Sequence, residues 1–201
     1  MSKAPVLDLL LRELALVAPG GFAVGLHIRY VSPLIMVNTY PEAWQEVYTA
    51  KLYGLRDPTL AWGLSHSGTR RWSQIGLPDP FGILPEAAGY GLVHGMIASI
   101  GPLSSRTIAG AARADREFTD DEMAHVHRIV QRMHDLSEPP ARLSRAQADA
   151  LKCIAEGDRH AAARLGISES AFKARLTSAR QKLMARTTAE AVQRAKEYGL
   201  I

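Results

Sequence analysis

The sequence predicts an α+β protein: an N-terminal α/β/α sandwich with a five-stranded antiparallel sheet, followed by a four-helix helix-turn-helix domain. Three observations lead there. Five β-like runs lie between residues 21 and 113, separated by Gly- and Pro-bearing turns. Four Ser/Thr-x-x-Glu/Gln boxes announce helix starts: Thr39 with Glu42, Thr119 with Glu122, Ser144 with Gln147 and Thr187 with Glu190. In such a box each side chain satisfies the other residue's free backbone N–H. Finally, the pair Pro139-Pro140 separates two stretches of different charge.

Taken in order, "LDLLLREL" is amphipathic and broken by Asp8, Arg12 and Glu13. It reads as a helix over 5–17 and not as a signal peptide. "GFAVGLHIRY", "PLIMVNTY", "RRWSQ", "HGMIASI" and "RTIAGAAR" are the strands. Helices over 40–55, 58–66, 85–91 and 119–136 cover the sheet on both faces. The domain over 1–136 then meets a linker at 137–142, where the prolines stop the preceding helix. In the domain over 143–201, a helix over 144–156 ends at Gly157 and a short one runs over 158–165. Gly166 permits a tight turn and Ser168 caps the next helix, over 169–184. A last helix over 188–198 ends at Gly199.

Composition narrows the function. Hydrophobic residues make up 47% with both charge signs present, and no run of ~18 apolar residues is available to span a membrane. The one cysteine, Cys153, excludes an internal disulfide and fits a reducing cytoplasm. Net charge is +4, unevenly spread: from Arg142 onward there are 12 Lys+Arg against 6 Asp+Glu. That concentrates the positive charge in the C-terminal domain and points to a polyanion as its partner; plain solubility is the bland alternative. No Ser/His/Asp or paired-carboxylate arrangement stands out, so no enzyme activity is assigned. His125 and His127 diverge on a helix and make a poor metal pair, and no metal or cofactor is expected.

On the helix over 169–184, Lys173, Thr177 and Arg180 are spaced to share one face, flanked by Arg175 and Lys182. Cations placed this way reach phosphates or guanine edges of double-stranded DNA, although any solvated helix carries such residues. "LSRAQADALKCIAEG", "AARLGISESAFKARLTSARQKL" and "TTAEAVQRAKEYGLI" resemble the C-terminal DNA-binding domain of the LuxR family. Leu143, Leu151, Glu156-Gly157, Leu165 to Ser168, Lys173, Leu176 and Lys182-Leu183 match its pattern. The resemblance implies that the helix from Glu169 enters the major groove, with Lys173 and Thr177 at groove contacts, and that the last helix aids dimerisation. Two departures stand out. Gln147 replaces a Glu of the pattern, and "GDRHAAARLG" is about two residues short, which rotates what remains by ~200°.

The N-terminal part carries Tyr40, Trp44 and Tyr48 at a step of four, which puts them on one helix face, then Asp57 before Pro58. An aromatic stripe of this kind is usually plain core. Its donors and the carboxylate also suit an amide-bearing ligand, because buried polar groups need partners. Tyr40, Trp44, Tyr48, Asp57-Pro58, Trp72-Ser73 and Gly95 resemble, in order and spacing, the autoinducer-binding domain of quorum-sensing LuxR-type regulators; the N-terminus is about one helix shorter. The implied ligand is an N-acyl homoserine lactone. By the resemblance, Trp44 donates to the lactone carbonyl, Tyr40 to the amide carbonyl, and Asp57 accepts from the amide N–H. Tyr48 and Trp72 wall the head-group and Gly95 leaves room for it. Thr107, Ala109 and Ala111 share a strand face whose small side chains leave volume for an acyl chain. Ala109, standing where some relatives carry a hydroxyl, favours an unsubstituted chain.

The expectation is therefore a cytoplasmic, dimeric regulator of transcription governed by an acyl-homoserine lactone. The alternative is an interaction protein that heterodimerises with a full-length relative and blocks it, because its own DNA reader is shortened. A third possibility keeps DNA binding and replaces the pocket with an aromatic core.

Overall fold

The computed structural model describes residues 4–28, 33–138, 140, 142–158 and 160–201. It divides into two compact units, Pro5–Ser137 and one holding Glu138–Ile201.

In the first unit, helix α1 (Ala4–Val17) precedes strands β1 (Phe22–Ile28) and β2 (Ile35–Asn38). Helices α2 (Glu42–Ala50), α3 (Pro58–Ser65) and α4 (Ile83–Ala88) alternate with β3 (Gly68–Arg71) and lead to β4 (His94–Ile100) and β5 (Arg106–Arg113). Helix α5 (Asp120–Ser137) closes the unit. The sheet is five-stranded and antiparallel, in the order β2-β1-β5-β4-β3. Side chains alternate across each strand, so the sheet has two distinct faces. Phe22, Val24, Leu26, Met96, Ala98, Ala109 and Ala111 face α1 and α5, packing on Leu10, Leu14, Phe118, Val126, Ile129 and Met133. Ile97, Ile108 and Ala112 face the other way, toward α2, α3 and α4.

Three local outcomes depart from the sequence reading. The helix expected over 40–55 stops at Ala50, because Leu52 turns left-handed at φ 54° and a single 3-10 turn follows at 53–55. The Thr39–Glu42 box does not form: Pro41 precedes α2, and the Thr39 hydroxyl instead bonds to both the N–H and the carbonyl of Phe22. Pairing the chain into the sheet thus takes the side chain that local pattern assigned to a cap. Trp72 and Ser73 lie just past β3, in a 3-10 turn over 72–74. Arg29 and Tyr30, at the end of the first predicted strand, lie outside the described residues.

The second unit holds α6 (Arg145–Ala155), α7 (Ala161–Arg164), α8 (Glu169–Lys182) and α9 (Thr188–Glu197). The Ser144–Gln147 box forms in both directions, and the Gln147 amide also donates to Ser178 Oγ at 2.9 Å. Ser168 caps α8, and Gly166, at φ 65°, makes the turn before it. Thr187 caps α9, but Glu190 turns back to the N–H of Arg186. Leu151, Ala179, Leu183, Ala191 and Ala195 form one core cluster of this unit, Ala150, Cys153, Ala161, Ala162 and Phe172 form another, and Leu176 packs against both. Helix α7 is a single turn. Of the linker, Pro139 and Ala141 are not described, nor is Arg159 of the short predicted helix.

Candidate functional site

The sequence-predicted aromatic residues converge on the sheet face turned toward α2 and α4. Trp44, 4% exposed, is the hub. Its ring centroid stands 5.7 Å from Tyr48, 6.1 Å from Tyr53 and 5.5 Å from Tyr90. Ile83, Ala87, Leu92 and Ala112 complete the apolar enclosure, with Tyr40 and Trp72 packed against it. Tyr53 and Tyr90 fall outside the four-residue stripe and carry no spacing signal. Only the packing of the 3-10 turn and of α4 brings them in. Tyr53 donates its hydroxyl to Glu86, which also pairs with Lys51 at 2.6 Å.

Asp57 is the N-cap of α3. Its Oδ1 accepts from the Thr59 N–H and hydroxyl, both at 2.7 Å, and from the Leu60 N–H at 3.4 Å. Its Oδ2 accepts from the Tyr48 hydroxyl at 2.8 Å. A carboxylate offers about four lone-pair sites. One oxygen is thus spent on the helix start, while Oδ2 keeps capacity for one more donor. Burial first, and then the negative charge of Asp57, push both Tyr40 and Tyr48 well above the usual phenol range. Both hydroxyls therefore stay protonated and act as donors.

Gly95 has a physical reason to be glycine. A Cβ there would lie 2.1 Å from Trp72 Cδ2, so the indole occupies the space that the missing side chain leaves. Buried over Gly95, Trp72 Nε1 has no acceptor among the described residues. Gly110 plays a similar part for Tyr40, whose hydroxyl would sit 2.9 Å from an added Cβ.

Ala109 must be moved out of the site. It is 1% exposed in the core under α1 and α5, on the opposite sheet face from Trp44 and Trp72. The small-residue face of β5 that the sequence picked out is filled there by Phe118, Met123 and Met133. The residues of β5 that face the aromatic group are Ile108, Gly110 and Ala112, one position out of phase. From that face Ala109 does not select between substituted and unsubstituted acyl chains.

In the second unit, Lys173, Thr177 and Lys182 are exposed on α8, whereas Arg175 and Arg180 are half-buried. Arg180 Nε is enclosed and has no partner among the described residues. The core stripe of α8 runs through Phe172, Leu176, Ala179 and Leu183. At 100° per residue, Lys173 and Arg180 lie side by side on one flank of that stripe, while Ser170, Ala174, Thr177 and Gln181 make up the opposite side. The spacing of Lys173, Thr177 and Arg180 was legible; how far Arg180 tilts inward depended on where the core lay. Arg164 of α7 ties the turn before it, reaching Glu156 at 2.7 Å, Asp158 at 2.9 Å and Cys153 Sγ at 2.8 Å.

Residues 16–136 match the autoinducer binding domain family. The chain is 29% identical over 180 residues to the transcriptional activator protein RaiR of Rhizobium etli, covering 79% of this chain and 74% of that protein. It is 26% identical over 186 residues to the transcriptional activator protein AnoR of Acinetobacter nosocomialis, covering 83% and 78%. Among solved structures, Escherichia coli SdiA superposes with a TM-score of 0.55 at 21% identity, over 97% of this chain and 92% of that one. RaiR and AnoR are both transcriptional activator proteins.

Proposed function

Because the chain belongs to the autoinducer-binding domain family of LuxR-type quorum-sensing regulators, we propose that it takes an N-acyl homoserine lactone against Tyr40, Trp44, Tyr48, Asp57 and Trp72 and responds by binding promoter DNA through α8. The observation that carries the ligand reading is unspent hydrogen-bonding capacity inside an apolar enclosure. Asp57 Oδ2 can accept one more donor, and Trp72 Nε1 has no acceptor among the described residues. Burying a polar group without a partner costs free energy, and a ligand carrying both an amide N–H and carbonyls relieves both. The mechanism is linkage. Ligand bound only by the folded sensor raises its stability, and a homodimer presents two copies of α8 to a palindromic site. Among the described residues no helix is long and apolar enough to cross a membrane, and we place the protein in the cytoplasm.

One observation favours a second reading. Helix α7 is one turn long, where a helix-turn-helix needs its second helix to brace the recognition helix on the phosphates. A protein so built blocks a full-length relative by heterodimerising with it. Two measurements separate the readings. Mass spectrometry of small molecules released from the purified protein identifies an acyl lactone if the sensor reading holds. Fluorescence anisotropy with duplex DNA at low and moderate salt then distinguishes a DNA-binding regulator from a blocking partner. Binding to one operator at nanomolar affinity in ~150 mM salt refutes the blocking role. No binding even at low salt, with a relative co-purifying, refutes the regulator.

A further inference from the structure

The sheet face that carries the aromatic group has a second buried donor without an acceptor, at its far end. Arg106 opens β5 and alternates onto the same face as Ile108, Gly110 and Ala112. It is 8% exposed. One Nη donates to Ser67 Oγ at 2.6 Å, and among the described residues the buried Nε has no acceptor and no carboxylate pairs with the guanidinium. A guanidinium cannot shed its charge by deprotonation, and a buried charge without a counter-ion is unfavourable. The hydrophobic cluster on this sheet face holds Trp62, Ile97, Ile108 and Ile28, with Arg70 over the Trp62 ring, and Ile28 is the register partner of Arg106 in β1. Arg106 is six residues along β5 from Ala112, the partner of Gly95 beneath Trp72. That separation is roughly 20 Å at ~3.3 Å per residue. Two orphaned donors therefore bracket one face.

We infer that Arg106 is a specificity residue that reads a carboxylate at the tail of the acyl group, so that the ligand class is an acyl lactone whose chain ends in an acid. This rests on the acyl-lactone reading above. The carboxylate takes Nε and the adjacent Nη side-on, the bidentate geometry that guanidinium offers and ammonium does not. A plain alkyl end leaves Nε dry and unpaired.

Calorimetry on the full chain tests this with N-octanoyl homoserine lactone, its analogue bearing a terminal carboxylate, and a series of chain lengths of each. The best acid-tailed lactone is expected to bind about ten- to a hundredfold tighter than the best plain one. Arg106→Met reverses the preference, and Arg106→Lys reduces it. Should Arg106→Met fail to fold, the wild type still decides: the preference fades as pH falls through the range where the tail carboxylate takes up a proton. Equal or opposite preference in the wild type, with plain lactones bound, overturns the inference and leaves the acyl-lactone reading standing. Arg106→Met that keeps the preference for the acid overturns it too. Binding of neither class overturns both.

Discussion

Asp57 has two duties that one substitution separates. Its Oδ1 caps α3 and its Oδ2 is the acceptor that faces Tyr48. Asn caps a helix about as well as Asp, so Asp57→Asn is expected to leave the melting temperature nearly unchanged. It exchanges a charged acceptor for a group that presents N–H, and lactone affinity should fall roughly 10- to 150-fold by calorimetry. Asp57→Ala loses the cap as well and should cost about 1 kcal/mol of stability. An unchanged affinity in the Asn variant removes Asp57 from the site. Gly95→Ala tests the packing. Its Cβ would meet the Trp72 indole at 2.1 Å, and overpacking of this kind costs about 1–3 kcal/mol. Thermal melts and the indole fluorescence report it together, and an unmoved melting temperature means the ring yields freely. At this scale spacing alone grouped Tyr40, Trp44 and Tyr48, which pack in one cluster. It could not assign Ala109 to a sheet face, because a strand alternates with period two and a one-residue error in phase reverses every side chain.

The same limit applies to whole elements. The boxes at Ser144 and Thr119 form as read because both partners are local. Thr39 fails because a neighbouring strand competes for its hydroxyl. Where β5 meets α5, Arg113 bonds to Asp115 and Glu122, and Arg116 bonds to Glu122. Hydrogen bonding by Arg113 holds Asp115 down at about 2, and hydrogen bonding by Arg116 holds Glu122 well below the usual carboxylate range. Both folded values are depressed. The stabilisation is therefore complete above the unfolded carboxylate range near ~4 and is lost as pH falls through the folded values. Arg113→Gln should move the acid transition, followed by circular dichroism, upward toward pH ~4; an unmoved transition shows that the joint does not govern acid stability. On α8, the exposed Lys173 and the enclosed Arg180 should behave differently. Lys173→Ala is expected to reduce the salt slope of DNA binding by about one, as loss of a phosphate contact does. Arg180→Ala should mainly alter stability. Equal salt slopes for the two variants refute this division. Two helix-forming residues inserted just before His160 would lengthen α7 and should raise DNA affinity if its single turn is the defect.

For the molecule as a whole, the proposed ligand is expected to couple to stability. A lactone at ~100 times its dissociation constant should add about 2.7 kcal/mol to the sensor unit, visible as an upward shift in thermal melts across a panel of acyl chains. A flat response across the panel favours an aromatic core without a ligand. The sequence by itself determined the order and type of nearly every element, the charge difference between the two halves and the Tyr40, Trp44, Tyr48 and Asp57 set. All of these rest on local spacing, caps and composition, which a chain displays before it folds. Only the tertiary structure decided which face of β5 meets the aromatic group, that Tyr53 and Tyr90 join it, that Trp72 fills the space over Gly95, and that Arg106 is buried with no counter-ion among the described residues. Each of these depends on partners distant in sequence and on the phase of a strand in its sheet, and neither is encoded in any local window of the chain.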